Sequence, residues 1–172
     1  MDAPLSALHL VLLAMTAHAF PIAAPGTEGL KIIVTDTSHV IARYEGNSAA
    51  YSNDLLFNGG LIFNNHATSV GTTADLGSFA PGTELVFQLC VNNTGNRFYT
   101  GPGSRNPDSH THARVQADWL PGSTLVSFED LYNGPFNFND LSFSFTNTTS
   151  GFTSVPEPNP FVLMLAGPAL LG

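Results

Sequence analysis

Glu84-Leu85-Val86-Phe87-Gln88-Leu89-Cys90-Val91 is the stretch on which the fold turns, because apolar side chains recur in it at every second position. A β-strand points successive side chains to opposite faces, so Leu85, Phe87, Leu89 and Val91 are placed together on one buried face. The same period governs Leu141-Ser142-Phe143-Ser144-Phe145, where Leu141, Phe143 and Phe145 are expected inward and Ser142 and Ser144 outward. Working outward, Leu30 to Thr35 and His39 to Tyr44 read as a strand pair joined across Asp36-Thr37-Ser38. Leu55-Leu56-Phe57 and Leu61-Ile62-Phe63 flank Asn58-Gly59-Gly60, a hairpin signal. Arg97 to Thr100 is a short strand. Ala113, Val115, Ala117 and Trp119 alternate with Arg114, Gln116 and Asp118, and Thr124 to Phe128 completes the set. Eight or nine short strands without a helix predict an all-β domain over residues 20–152. Each one-sided sheet must bury its apolar face, so a two-sheet antiparallel β-sandwich, jelly-roll or immunoglobulin-like, is the expected solution.

Composition agrees. The 172 residues suit one domain, and 43% hydrophobic residues with 13 Phe, 16 Gly and 12 Pro are too apolar for a disordered chain and too rich in turns for a helical bundle. The net charge is -8, and the five basic residues, Lys31, Arg43, Arg97, Arg105 and Arg114, are scattered along the chain. A nucleic-acid groove needs clustered positive charge, so that class of partner is excluded. Cys90 stands alone, cannot form an internal disulfide, and sits where a half-buried strand residue is expected.

Both ends read as addresses. Residues 5–15 form an apolar stretch of signal-peptide length, followed by Ala17-His18-Ala19 and Phe20-Pro21, an A-x-A cleavage site. This predicts a signal helix over residues 1–19, cut between Ala19 and Phe20, although no Lys or Arg precedes Lys31. A buried N-terminal helix is the competing structural reading. At the other end Val155-Pro156-Glu157-Pro158-Asn159-Pro160 leads into an uncharged run from Phe161 to Gly172. Prolines hold the motif extended and accessible beside a segment able to enter a membrane.

Val155, Pro156, Glu157 and Pro158 before an apolar helix resemble the PEP-CTERM sorting signal of Gram-negative, biofilm-forming bacteria, which an inner-membrane exosortase is thought to recognise and cleave. The resemblance implies a sorting signal over residues 153–172. As a helix, the run from Phe161 would span only about 18 Å, short of the roughly 30 Å hydrocarbon core. The basic cluster that ends the family's signal does not follow it. A truncated or degenerate signal is therefore expected. A lipid-anchor signal and a buried C-terminal strand are the alternatives.

A second resemblance covers roughly residues 48–146. Tyr51-Ser52-Asn53-Asp54-Leu55, Phe63-Asn64-Asn65-His66, Phe98-Tyr99-Thr100-Gly101-Pro102 and Arg105-Asn106-Pro107-Asp108 lead to a closing signature. That signature reads Phe128-Glu129-Asp130-Leu131, Tyr132-Asn133-Gly134-Pro135 and Phe138-Asn139-Asp140-Leu141. These runs look like a domain of unknown function common among PEP-CTERM exported proteins. The likeness implies a β-sandwich surface module and carries no enzymatic activity.

Among candidate chemical sites the acidic loop is the fullest. Glu129 and Asp130 precede a Gly-Pro turn, and Asn137, Asn139 and Asp140 follow it, so oxygen ligands from both arms could converge on Ca2+. Alternatively Asp130 and Asp140 cap turns by bonding their own backbone. His110-Thr111-His112, with Asp108 nearby, would place two imidazoles on one strand face, but two histidines do not make a zinc set, and a solvated polar loop explains them as well. No Gly-x-Ser-x-Gly, His-Glu-x-x-His, phosphate loop or Cys-x-x-Cys motif is present. Glu129 and Asp130 are adjacent and would point to opposite faces of a strand, which disfavours a paired-carboxylate hydrolase. Tyr99, Trp119 and Tyr132 could stack on sugar rings or pack in the core.

Together these features predict an exported, non-enzymatic protein of the cell surface or extracellular matrix, a structural or binding component of an exopolysaccharide layer. Its expected partners are the Sec export machinery, an exosortase-type enzyme during transient inner-membrane anchoring, and extracellular polysaccharide. No organic cofactor is expected. A calcium-dependent carbohydrate-binding or adhesive module is the alternative, and a secreted hydrolase ranks below it.

Overall fold

A computed structural model describes residues 19–151. The predicted signal helix with Ala17, and the sorting motif Val155, Pro156, Glu157 and Pro158 with its apolar helix, lie outside the described residues. Twelve strands follow in order: β1 (Lys31–Val34), β2 (His39–Asn47), β3 (Asn53–Phe57), β4 (Gly60–Asn64), β5 (Thr73–Ser78) and β6 (Glu84–Leu85), then β7 (Phe87–Val91), β8 (Arg97–Tyr99), β9 (Ala113–Leu120), β10 (Ser123–Phe128), β11 (Leu141–Thr146) and β12 (Thr148–Gly151). Among the described residues the only helical element is one 3-10 turn, Gly103–Arg105. The strands form three antiparallel sheets, ordered β12-β1-β6, β5-β2-β11-β10-β9 and β4-β3-β7-β8.

The run from Glu84 to Val91 is divided between two sheets. Its first part pairs Leu85 with Ile32 of β1, whereas its second pairs Leu89 with Leu55 of β3. Leu85, Phe87, Leu89 and Val91 are all buried, and Cys90 on the other face is half-buried. The β3–β4 hairpin also forms as its sequence dictates. Asn58 and Gly59 take φ of 49° and 79°, the left-handed pair that a two-residue hairpin turn requires.

The expected β1–β2 pair does not form. β1 bonds β12 and β6, while β2 bonds β11 and β5. Asn147 explains the difference. Its Oδ1 accepts the Asp36 N–H at 3.1 Å, and its Nδ2 donates to the carbonyls of Asp36 and Ser38 at 2.9 and 2.8 Å. The β1–β2 corner and the β11–β12 corner are thus tied side by side, and both chains cross together from the five-stranded to the three-stranded sheet. Strands β5 and β12, lacking strong apolar alternation, had no counterpart in the sequence-based set.

One aromatic core joins the sheets. Phe63 and Phe87 of the four-stranded sheet meet Tyr44, Phe143 and Phe145 of the five-stranded sheet. The Phe87 and Phe145 rings stack at 4.1 Å and those of Phe63 and Phe143 at 6.0 Å. Each fully buried ring contributes roughly 1.5–3 kcal/mol of transfer free energy.

Ser142 and Ser144, expected at a solvated face, are buried too. Residues 23–28 run across that face: Ala23 N–H donates to Ser127 Oγ at 2.8 Å and Ala24 N–H to Gln116 Oε1 at 2.9 Å. Ser142 and Ser127 share a hydroxyl bond of 2.8 Å, and Ser144 donates to Glu45 at 2.6 Å. Serine suits a strand face covered by backbone, because each hydroxyl finds a partner there.

Candidate functional site

The acidic loop grows out of the β10–β11 hairpin. The last rung of that ladder pairs Phe128 with Leu141, so Glu129 and Asp130 leave one strand opposite Asp140 entering the other. One ligand oxygen from each of the three carboxylates lies within 4.8 Å of the others. Glu129 and Asp130 are buried and Asp140 is half-buried.

The loop between the arms is held from inside. Glu129 accepts the N–H of Leu131 at 3.2 Å on Oε1, and those of Asn137 and Phe138 at 3.2 and 3.4 Å on Oε2. Asp140 Oδ2 accepts the Asp130 N–H at 2.8 Å. Phe138 is buried at φ 56°, a conformation costly for a bulky residue, and its ring lies 4.5 Å beneath the Arg114 guanidinium. The surrounding contacts therefore over-determine the loop.

Of the sequence-predicted oxygen ligands, the structure brings together Glu129, Asp130 and Asp140. Asn137 is exposed, and its Oδ1 accepts the Asn139 N–H at 3.3 Å in a local turn. Asn139 serves through its backbone, whose carbonyl accepts the Ser48 hydroxyl at 2.6 Å. Of the two residues in the turn-capping reading, Asp140 accepts a loop N–H, that of Asp130, whereas the Asp130 carboxylate accepts from the Asn53 side chain; Glu129 is the residue that holds the loop backbone.

A fourth side chain enters from β3. Asn53 is fully buried; its Nδ2 donates to Asp130 Oδ2 at 2.8 Å and to the Tyr51 carbonyl at 3.2 Å. Its Oδ1 is buried with no hydrogen-bond partner. A buried amide oxygen left unpaired costs about 1–3 kcal/mol, and this one belongs to a head group bonded to Asp130 of the cluster. Asn53 was missed as a site residue. The signal that could have found it is its place in the Tyr51-Ser52-Asn53-Asp54-Leu55 run.

Electrostatics match this geometry. Burial pushes the Asp130 carboxyl up to about 6; the Asp140 charge adds to the shift, while the Asn53 hydrogen bond and His112 oppose it. Burial likewise raises Asp140 to about 6, with Glu129 adding and the Asp130 N–H opposing. Burial and neighbouring carboxylates thus disfavour the ionised forms of Asp130 and Asp140, and oxygens so arranged could hold a hard cation.

Comparison with protein families, curated proteins and solved structures finds no match for this chain.

The histidines part company. His110 is exposed, whereas His112 is fully buried and stacked on Phe98 at 3.6 Å between ring centres. They precede β9 and do not share a strand face. His112 Nε2 lies 2.8 Å from Asp108 Oδ2 and its Nδ1 2.9 Å from the Glu129 carbonyl. The ring is thus held at both nitrogens, between Asp108 and the acidic loop. Burial works against ionisation of Asp108, but the Asn133 N–H, His112 and the His110 N–H together hold its carboxyl below the usual range. His112 is therefore a brace for the acidic loop rather than half of a metal pair.

Ala19 and Phe20 of the predicted cleavage site are described. Ala19 is exposed, and Phe20 is half-buried with its ring carbons against Gly46, at a spot where a Cβ would overlap it. Among the described residues no helix is long and apolar enough to cross a membrane.

Proposed function

We propose that this chain is an exported, non-enzymatic β-sandwich module of the cell surface or extracellular matrix, stabilised by one calcium ion in the acidic loop. The observation that carries the calcium reading is the Glu129–Asp130–Asp140 cluster, two of its members buried, beside Asn53, which bonds Asp130 through Nδ2 and leaves its own Oδ1 unpartnered. The sandwich assignment is supported by the aromatic side chains of the four- and five-stranded sheets packing on each other, with the three-stranded sheet linked to the five-stranded one where Thr148 of β12 meets Thr124 of β10. Calcium takes six to eight oxygens and tolerates irregular geometry; the three carboxylates and Asn53 Oδ1 would supply the protein's share, and water the remainder.

Export and sorting are supported by the sequence at the two ends. Among the described residues the core draws its buried side chains from Leu30 to Phe145, and Val155-Pro156-Glu157-Pro158 follows shortly after the last strand. In this reading the tail is held in the inner membrane, and an exosortase-type enzyme cuts near Pro156 to Pro158.

Isothermal titration of the chelator-treated protein with Ca2+ tests the cation. Saturable one-to-one binding that is lost in Asp130→Ala and Asp140→Ala is expected; absence of binding overturns it. Replacing Pro156, Glu157 and Pro158 by alanine in a host with an exosortase should leave uncleaved precursor, and unaltered processing overturns the sorting half.

A further inference from the structure

A second surface feature uses charge of the opposite sign. Between the β7–β8 turn and the 3-10 segment lies an open cleft of about 400 Å³ lined by Arg97, Tyr99, Arg105 and Pro107. Two of the chain's five basic residues thus line one cleft on a protein of net charge -8. Lys31, Arg43, Arg105 and Arg114 each pair with a carboxylate, whereas Arg97 is exposed and has none within bonding reach among the described residues.

Arg105 is also incompletely used. Its Nη1 carries both the Glu84 contact at 2.6 Å and the Thr100 carbonyl contact at 3.0 Å, and Glu84 is shared with Lys31 at 3.0 Å. Two cations, Lys31 and Arg105, therefore share one carboxylate here, and Arg97 has none, which leaves a local surplus of positive charge. The guanidinium is seated by Gly101, where a Cβ would lie 2.4 Å from Nη1.

Aromatic surface adjoins the charge. Tyr99 is half-buried in edge strand β8, with its backbone fixed by Asn106 Oδ1 at 2.7 Å. Beyond Pro107, whose carbonyl is 3.5 Å from the Tyr132 hydroxyl, Tyr132 is 47% exposed. A flat apolar ring face beside an unpaired guanidinium suits a pyranose that bears a carboxylate, with the sugar face on tyrosine and the carboxylate on the arginine fork.

We infer that this cleft is a binding site for a uronic-acid-containing polysaccharide, held by Arg97 and Arg105 with Tyr99 as the stacking platform. The inference deepens the surface-module reading by naming its ligand, and rests on that reading only for the polysaccharide's being met outside the cell. Its test is independent of processing and of calcium.

The purified full-length protein is titrated with oligogalacturonate in chelator-treated buffer, so that calcium bridging contributes nothing. Saturable, salt-sensitive binding is expected, weakened about tenfold or more in Arg97→Ala and in Tyr99→Ala, and partly retained in Arg97→Lys. Neutral dextran and polyglutamate should bind far more weakly, the first lacking charge and the second lacking a ring. The inference is overturned if oligogalacturonate does not bind, if Arg97→Ala binds as the parent does, or if polyglutamate binds equally well. Arg97 is exposed, so its replacement leaves the core intact.

Discussion

Glu84 and the Glu129–Asp130–Asp140 cluster are two answers to the same problem, a carboxylate removed from water. At Glu84 burial opposes ionisation, but hydrogen bonds and charge from Arg105 and Lys31 outweigh it and hold the carboxyl below its usual range. At the loop cluster burial acts in the same direction, and the nearest charged neighbours are more carboxylates, so Asp130 and Asp140 rise to about 6. The difference teaches that burial alone does not distinguish a structural ion pair from a ligand site; the sign of the neighbouring charge does. One site has its counter-charge within the chain, and the other is the one at which a cation is proposed.

The sharpest break in this contrast comes from Glu129, which is both a cluster member and the acceptor for three loop N–H groups. Glu129→Ala should destabilise the protein by about 2–4 kcal/mol, because it strands buried donors at a residue 1% exposed. Glu129→Gln keeps one acceptor oxygen for the Asn137 and Phe138 N–H groups but turns an amide NH2 toward the Leu131 N–H, so in chelator it should lose less, about 1–2 kcal/mol. Urea unfolding of the two variants measures the gap between them. Equal losses would mean that charge, not backbone bonding, dominates at this position.

A smaller effect is expected from pH. The folded pKa of Asp130 and Asp140, about 6, exceeds the ordinary 3.8, so between those values the folded state holds protons that the unfolded state has released. Stability in chelator should therefore fall as pH rises from about 4 to 6 and level off above, by on the order of 1–3 kcal/mol for the coupled pair. Saturating calcium should flatten that slope, since the ion replaces the protons. Thermal unfolding across this window, with and without calcium, shows whether the cluster behaves as a site short of a cation.

How much of this was legible in the sequence follows from the range of each interaction. The alternation Leu85, Phe87, Leu89, Val91 is local, and so is the Asn58-Gly59 turn, and both appear as read. Glu129, Asp130 and Asp140 were legible as a group because one hairpin brings them together. Asn53 was not, because it reaches Asp130 across 77 positions of chain. The burial of Ser142 and Ser144 depends on residues 23–28 crossing their face, and the separation of β1 from β2 depends on Asn147. A three-residue turn between two apolar runs looks like a hairpin whether the strands pair or diverge into different sheets. The divide between exposed His110 and buried His112 likewise arises from Phe98, Asp108 and Glu129, which no spacing in the sequence assembles.

Arg105→Ala gives the smallest effect and the opposite sign of pH dependence. Glu84 keeps Lys31 as a partner and is 20% exposed, so solvent and the remaining cation screen the loss, and a cost of about 0.5–1 kcal/mol at neutral pH is expected. Because the folded pKa of Glu84 lies below its ordinary 4.5, the stability drawn from its ionised form is present above that value and fades as pH falls through the folded pKa. The variant and the parent should therefore converge in acid, where the loop cluster is at its most stable. Denaturation of both proteins with chelator present, at neutral pH and below pH 4, reads the two slopes together. A gap that widened in acid would mean that Arg105 acts through the Thr100 carbonyl and the packing over Gly101 instead of through Glu84, and the contrast between the two carboxylate sites would lose its completed member.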